Sequence, residues 1–150
     1  MKTTHTLLCA LIIASYSSAP AMAALGGDIT SVEADRVSMA GALSVTSGIG
    51  YSVQEIQTAA GIVIHEYMSD EGKVFAVSWR GPGAPDMSQL LRSYATQLAQ
   101  AATRSHYNHH RVDIETPKVV MHSGAYLRTR FGRAWAPALL PHGFSVSQIQ

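Results

Sequence analysis

Residues 51–80 read YSVQEIQTAAGIVIHEYMSDEGKVFAVSWR, and this stretch decides the fold. Three runs, 51–58, 62–69 and 73–80, are rich in β-branched and aromatic residues and are separated by Ala59-Ala60-Gly61 and Asp70-Glu71-Gly72. Loops this short join only antiparallel neighbours, because a parallel crossover needs a dozen or more residues. A three-stranded meander is therefore expected. In its third strand Phe75, Val77 and Trp79 alternate with Val74, Ala76, Ser78 and Arg80, which assigns the larger row to the core face. Trp79 carries most of that row's apolar area, and its indole N–H needs a partner if it is buried.

Downstream, the glycines and prolines of residues 80–85 break the pattern. Asp86 then starts a helix, with Gln89 completing a D-x-x-Q capping box. Met87, Leu90, Leu91, Tyr94, Leu98, Ala101 and Ala102 recur every three or four residues, so one stripe lies on the sheet. The helix is expected to fray over 105–110. Three more β-type runs follow at 112–116, 119–122 and 125–131, the last two joined through Ser123-Gly124, with Pro117 marking a bend. Residues 132–150 read as an irregular strap pinned by Trp135, Leu139, Leu140 and Phe144, with Ser145 capping a last turn. Upstream, Thr30 and Glu33 suggest a capping box for a helix over 31–40. Gly41 is expected to close that helix in a left-handed conformation, and a short strand to follow through Leu43 and Val45. Residues 24–28 read as a flexible leader. The fold class expected is α+β: an antiparallel sheet of a meander and a later hairpin, covered on one face by one long amphipathic helix.

Residues 1–23 have the layout of an export signal: Lys2, an apolar core of about a dozen residues, then Ala21-Met22-Ala23 as a small-x-small cleavage site. That core is shorter than the roughly 20 residues a membrane span needs, and no later segment is long and apolar enough. Residues 24–150 are then one domain, large enough for a single unaided core. The expected location is the periplasm or the extracellular space. The only cysteine, Cys9, falls inside the signal; Leu8 before it is not the small residue a lipid-attachment site wants, so stability rests on packing without disulfides. Removing Lys2 leaves ten basic side chains against ten acidic ones, a balance that argues against nucleic acid as a partner.

Candidate chemistry is sparse. His106, His109 and His110 have helical spacing suited to metal binding through nitrogen, with Asp113 or Glu115 as further ligands; a solvated histidine cluster at a helix end is the preferred reading. Tyr126, Arg128 and Arg130 alternate along one expected strand, with Arg133 after them, as an aromatic and basic row able to hold an anionic polymer or phosphate. The competing reading is an ordinary wet sheet face. A hydrolytic site built on His65 and Glu66, or on His122 with Ser123, lacks a G-x-S-x-G elbow, and neighbours on a strand point to opposite faces. His65 suits a hydrogen-bonded structural role. Glu55 and Glu66 are expected opposite each other across the first hairpin. Gly81-Pro82-Gly83 reads as a turn rather than a phosphate cradle, since Pro82 lacks an N–H.

The chain resembles the bacterial family Domain of Unknown Function 2844. The resemblance is carried by Ala24-Leu25-Gly26-Gly27, by Ser31 through Arg36, by Tyr51 through Ile56 and by His65-Glu66-Tyr67. It continues through Gly72 to Trp79, Gly81-Pro82, Pro85-Asp86 and the Gly132-Arg133-Ala134 to Pro141 tail. It implies an exported protein of Gram-negative bacteria and brings no activity, cofactor or catalytic residue. The functional expectation is a non-enzymatic domain that binds an envelope protein or glycan through an exposed sheet face or the loop at 81–85. A small hydrolase using His65, Glu66 or His122, and a histidine-based metal binder, are the alternatives. No cofactor is expected.

Overall fold

A computed structural model describes residues 25–103 and 111–150. Seven strands form one antiparallel sheet in the order β1-β2-β3-β4-β7-β6-β5. The first four, β1 (Ala42–Ser47), β2 (Tyr51–Gln57), β3 (Val63–Ser69) and β4 (Val74–Gly81), are a meander, as the short glycine-bearing loops require. The chain then crosses the sheet through helical turns and returns from the far edge as β5 (Arg111–Glu115), β6 (Val120–Tyr126) and β7 (Thr129–Trp135), closing on β4. The fold is α+β, with the helical segment packed on the sheet.

That segment follows the expected apolar stripe: Leu90, Leu91 and Leu98 are buried. It is not one uninterrupted helix. α2 (Met87–Leu91) gives way to a 3-10 turn, Arg92–Tyr94, before α3 (Ala95–Ala102), and the break sits at Arg92, whose φ of 39° is left-handed. Asp86 caps α2 as expected, accepting from the N–H groups of Ser88 and Gln89. The Gln89 side chain leaves the cap and donates instead to Asp35 Oδ1 on α1 (Ile29–Ser38), at 2.5 Å.

Four expectations are corrected. The leader is ordered: Leu25 is in the core, Gly26 N–H donates to Val74 O at 2.7 Å, and Val74 N–H donates to Gly27 O at 2.9 Å. Asp28 and Ser31, not Thr30 and Glu33, form the reciprocal cap of α1, while Glu33 pairs with Arg36 at 2.6 Å. Ala40, with φ 47°, takes the left-handed position; Gly41 is required because a Cβ there would stand 2.5 Å from Ile56 Cγ2. The hairpin turn between β6 and β7 is Leu127-Arg128, whereas Ser123 and Gly124 lie within β6, opposite Gly132 and Phe131. Glycine inside a strand mimics a turn signal unless it serves close approach.

A β-bulge explains a fifth difference. Tyr67 faces Ala76 and Met68 faces Val74, so Phe75 is the extra residue on β4. The alternation slips there. Val77 and Trp79 join Val74 in the core under the helices, while Phe75 moves to the opposite face beside Ala76. On that second face the strap packs Leu139, Leu140 and Phe144 onto Tyr67, Phe75 and Trp135, with Phe75 and Phe144 edge-to-face at 4.7 Å. Ser145 caps the final 3-10 turn, as expected. Both faces of β4 are thus covered, and the expected single-face core becomes two.

Candidate functional site

Register places one polar residue from each strand in a line across the strap face: Ser44, Glu55, His65, Ser78, Arg133, His122 and Asp113. His65 Nε2 is 3.0 Å from Glu55 Oε2 and its Nδ1 is 3.0 Å from the backbone oxygen of Gln150. Ser78 Oγ donates to that same oxygen at 2.5 Å, and Tyr67 O–H to it at 3.2 Å. Arg133 Nη1 donates to Val146 O and Ile149 O at 3.3 Å each and lies over the Trp135 ring. His122 packs edge-on against Trp135 at 5.2 Å. The centre of the row is therefore consumed in fastening the strap. Arg133 belongs to this fastening, as does His65, in a hydrogen-bonded structural role.

Glu66 lies on the opposite face from its neighbour His65 and does not meet it. Nor does it oppose Glu55: Gln54 faces Glu66 and His65 faces Glu55. Glu66 is fully buried under the helices beside Asp35, and the two carboxyl groups perturb each other while stopping short of hydrogen-bonding geometry. Burial pushes the Glu66 carboxyl up to about 9, helped by the negative charge of Asp35. Burial raises Asp35 as well, against Gln89 and Arg92, which favour its anion. The pair thus holds a proton at neutral pH. Arg92, at the left-handed break between α2 and α3, is the cation whose charge favours the Asp35 anion. Neither carboxyl lines the groove between α2, α3 and the sheet.

His106, His109 and His110 lie outside the described residues. Among the described residues no group of three or more His, Cys, Asp or Glu is arranged to hold a metal.

Tyr126, Arg128 and Arg130 do not share a strand face. Tyr126 ends β6, Arg128 is in the turn, and Arg130 lies on β7 opposite Ala125. All three are exposed, and their side chains make no ion pair or hydrogen bond among the described residues. Arg130 stands at the mouth of a groove that the sequence did not announce. One wall is α2 and α3, through Met87, Leu91, Leu98 and Ala99; the floor is the helix-facing side of β4 to β7, through Trp79, Ile114 and Met121. The groove encloses about 420 Å³, and its mouth adds Ala84, Phe131, Arg111 and Arg130. Its lining is mostly apolar, its size is within the ~300–1,000 Å³ of small-molecule sites, and Ala84 brings the loop at 81–85 to its edge. Arg111 is neutralised by Asp113 at 2.6 Å, which leaves Arg130 as the unpaired charge there. Gly132 opens the floor, because the Trp79 ring lies where its Cβ would be, 2.3 Å away. The signal for Gly132 was present in the sequence, but its meaning depends on the Trp79 pairing across β4 and β7.

The family model described as protein of unknown function (DUF2844) matches residues 21–149. Comparison with curated proteins and with solved structures gives no match.

Proposed function

The chain belongs to this DUF2844 family, and from that premise we propose that it is an exported, non-enzymatic binding domain of the cell envelope whose groove takes up an amphipathic molecule with an apolar chain and an anionic head. The observation that carries the reading is the groove itself: apolar side chains from a helix and a sheet converge on one space, and an unpaired arginine stands at its mouth. An apolar lining with a few fixed polar groups is the usual composition of a ligand site. Burying a methylene contributes about 0.8 kcal/mol, so chain length sets affinity, while Arg130 selects a carboxylate or phosphate head. Export is supported by the residue pattern of 1–23, and a non-enzymatic role by the strap-face hydrogen bonds that occupy His65 and Ser78.

The test is displacement of a fluorescent fatty-acid probe, with Trp79 as a second reporter in the groove. Affinity is expected to rise with alkyl chain length and to fall at least tenfold when a carboxylate is replaced by an amide, reflecting loss of a charge-assisted hydrogen bond of about 1.5–3 kcal/mol. Ala99 is exposed on the wall, so Ala99→Trp fills the groove without entering the core and should weaken binding at least tenfold at unchanged melting temperature. Binding indifferent to both chain length and Ala99→Trp would refute the groove as the ligand site.

A further inference from the structure

The tip of the β6–β7 hairpin concentrates features that an ordinary turn avoids. Three of the seven large apolar side chains exposed among the described residues fall within 126–131: Tyr126 at 71 %, Leu127 at 89 % and Phe131 at 41 %. Tyr126 and Phe131 are diagonal neighbours on one face, and Phe131 sits opposite Gly124, which offers no side chain to cover it. Leu127 begins the two-residue turn with φ 53°, a left-handed conformation that glycine or asparagine adopts at little cost and leucine does not. A strained, water-exposed leucine serves neither the turn nor the core. Arg128 and Arg130 flank it without partners among the described residues. Arg128 and Arg130 are the two charged residues of the hairpin tip, and after Glu115 the chain has no acidic residue.

We propose that this tip is a membrane-docking finger that inserts Leu127, Tyr126 and Phe131 into the interface of an anionic bilayer while Arg128 and Arg130 meet lipid phosphates. Aromatic and aliphatic side chains beside arginines are the combination an interfacial anchor needs: the apolar groups supply depth, tyrosine suits the headgroup level, and arginine adds attraction to an anionic leaflet. The opposite hairpin tip is the internal contrast. Ile49 there is fully exposed, yet it sits between Gly48 and Gly50 with no cation nearby in sequence. Docking goes beyond the groove reading and does not rest on it, although Arg130 serves both places.

The experiment is cosedimentation of residues 24–150, which contain every described element, with vesicles of phosphatidylcholine alone or with a quarter phosphatidylglycerol. Binding is expected to the anionic vesicles only and to weaken with salt. Leu127→Gly should lower it at least tenfold while leaving the melting temperature equal or higher, because the strain is relieved. Arg128→Gln should lower it about fivefold, and Ile49→Ser should not change it. Ala99→Trp should bind vesicles normally, which separates failure of the groove from failure of the finger. The proposal is overturned if Leu127→Gly binds as well as the parent, if Ile49→Ser loses as much, or if soluble glycerophosphoglycerol competes as effectively as vesicles. Absence of vesicle binding would overturn it too and reassign the tip to a protein partner.

Discussion

Glu66→Gln is expected to make the protein more stable than the parent at pH 8 and to flatten the dependence of its stability on pH. The direction follows from linkage. In the folded chain burial holds the Glu66 carboxyl protonated up to about 9, against an ordinary value of 4.5. Between those limits the folded state binds more protons than the unfolded state, so the free energy of unfolding falls as pH rises. The slope reaches at most about 1.4 kcal/mol per pH unit for one group. The protonated form is thus favoured toward pH 5 and progressively opposed toward pH 9. A glutamine keeps the volume but has nothing to ionise. The imperfectly paired buried amide costs about 1–3 kcal/mol at every pH, so the variant is expected to be no more stable than the parent near pH 5 and more stable at pH 8, where the parent bears the cost of the buried carboxyl. Asp35→Asn should reduce the parent's slope without abolishing it, because burial rather than the Asp35 charge is the larger cause of the Glu66 shift. Urea unfolding at pH 5, 6.5 and 8 checks both variants, and parallel slopes for parent and Glu66→Gln would refute the buried proton.

The pH behaviour illustrates which parts of the molecule were legible in the sequence. The meander, the helical stripe and the strap announce themselves because each depends on local periodicity or on turn chemistry within a few residues. Glu66 is expected from the sequence to oppose Glu55, but register sets Gln54 against it, and nothing in HEY indicates that Asp35 on α1 closes over it. Phe75 looked like part of the Trp79 row because a bulge is set by cross-strand register, which no single strand encodes. The basic row failed for a related reason: placing the turn at Ser123-Gly124 put Tyr126, Arg128 and Arg130 on one strand, whereas the turn is Leu127-Arg128, a pair with neither glycine nor asparagine. Turn rules find the residues that adopt left-handed geometry easily and pass over those held there at a cost. The groove was invisible because its walls come from elements on either side of the crossover.

Gly132→Ala is expected to be the most damaging glycine-to-alanine substitution among the described residues and to damage the groove along with the fold. An added Cβ would stand 2.3 Å from one Trp79 ring carbon, 2.7 Å from a second, and 2.8 Å from Ser123 Cβ. Those neighbours cannot swing aside as the end of a lysine would: the indole is buried in the core, and Ser123 Cβ is fixed by the backbone of β6. Overpacking of a dense interior typically costs about 1–3 kcal/mol, and rigid contacts on two sides place this case at the upper end. At about 3–5 °C per kcal/mol for a domain of this size, the melting temperature should fall by about 10 °C. Gly83→Ala is the control, since its Cβ would meet only Ile62 Cδ1 at an ordinary 3.8 Å, and it should change stability by less than about 0.5 kcal/mol. The indole can yield only by rising toward the groove whose floor it forms, so Gly132→Ala should also weaken probe binding. Trp79→Phe removes the ring atoms that collide. In that background the cost of Gly132→Ala should drop by at least half, a coupling that a double-mutant cycle measures directly. Equal costs in the two backgrounds would show that Trp79 does not rest on Gly132, and the floor of the groove would have to be redrawn.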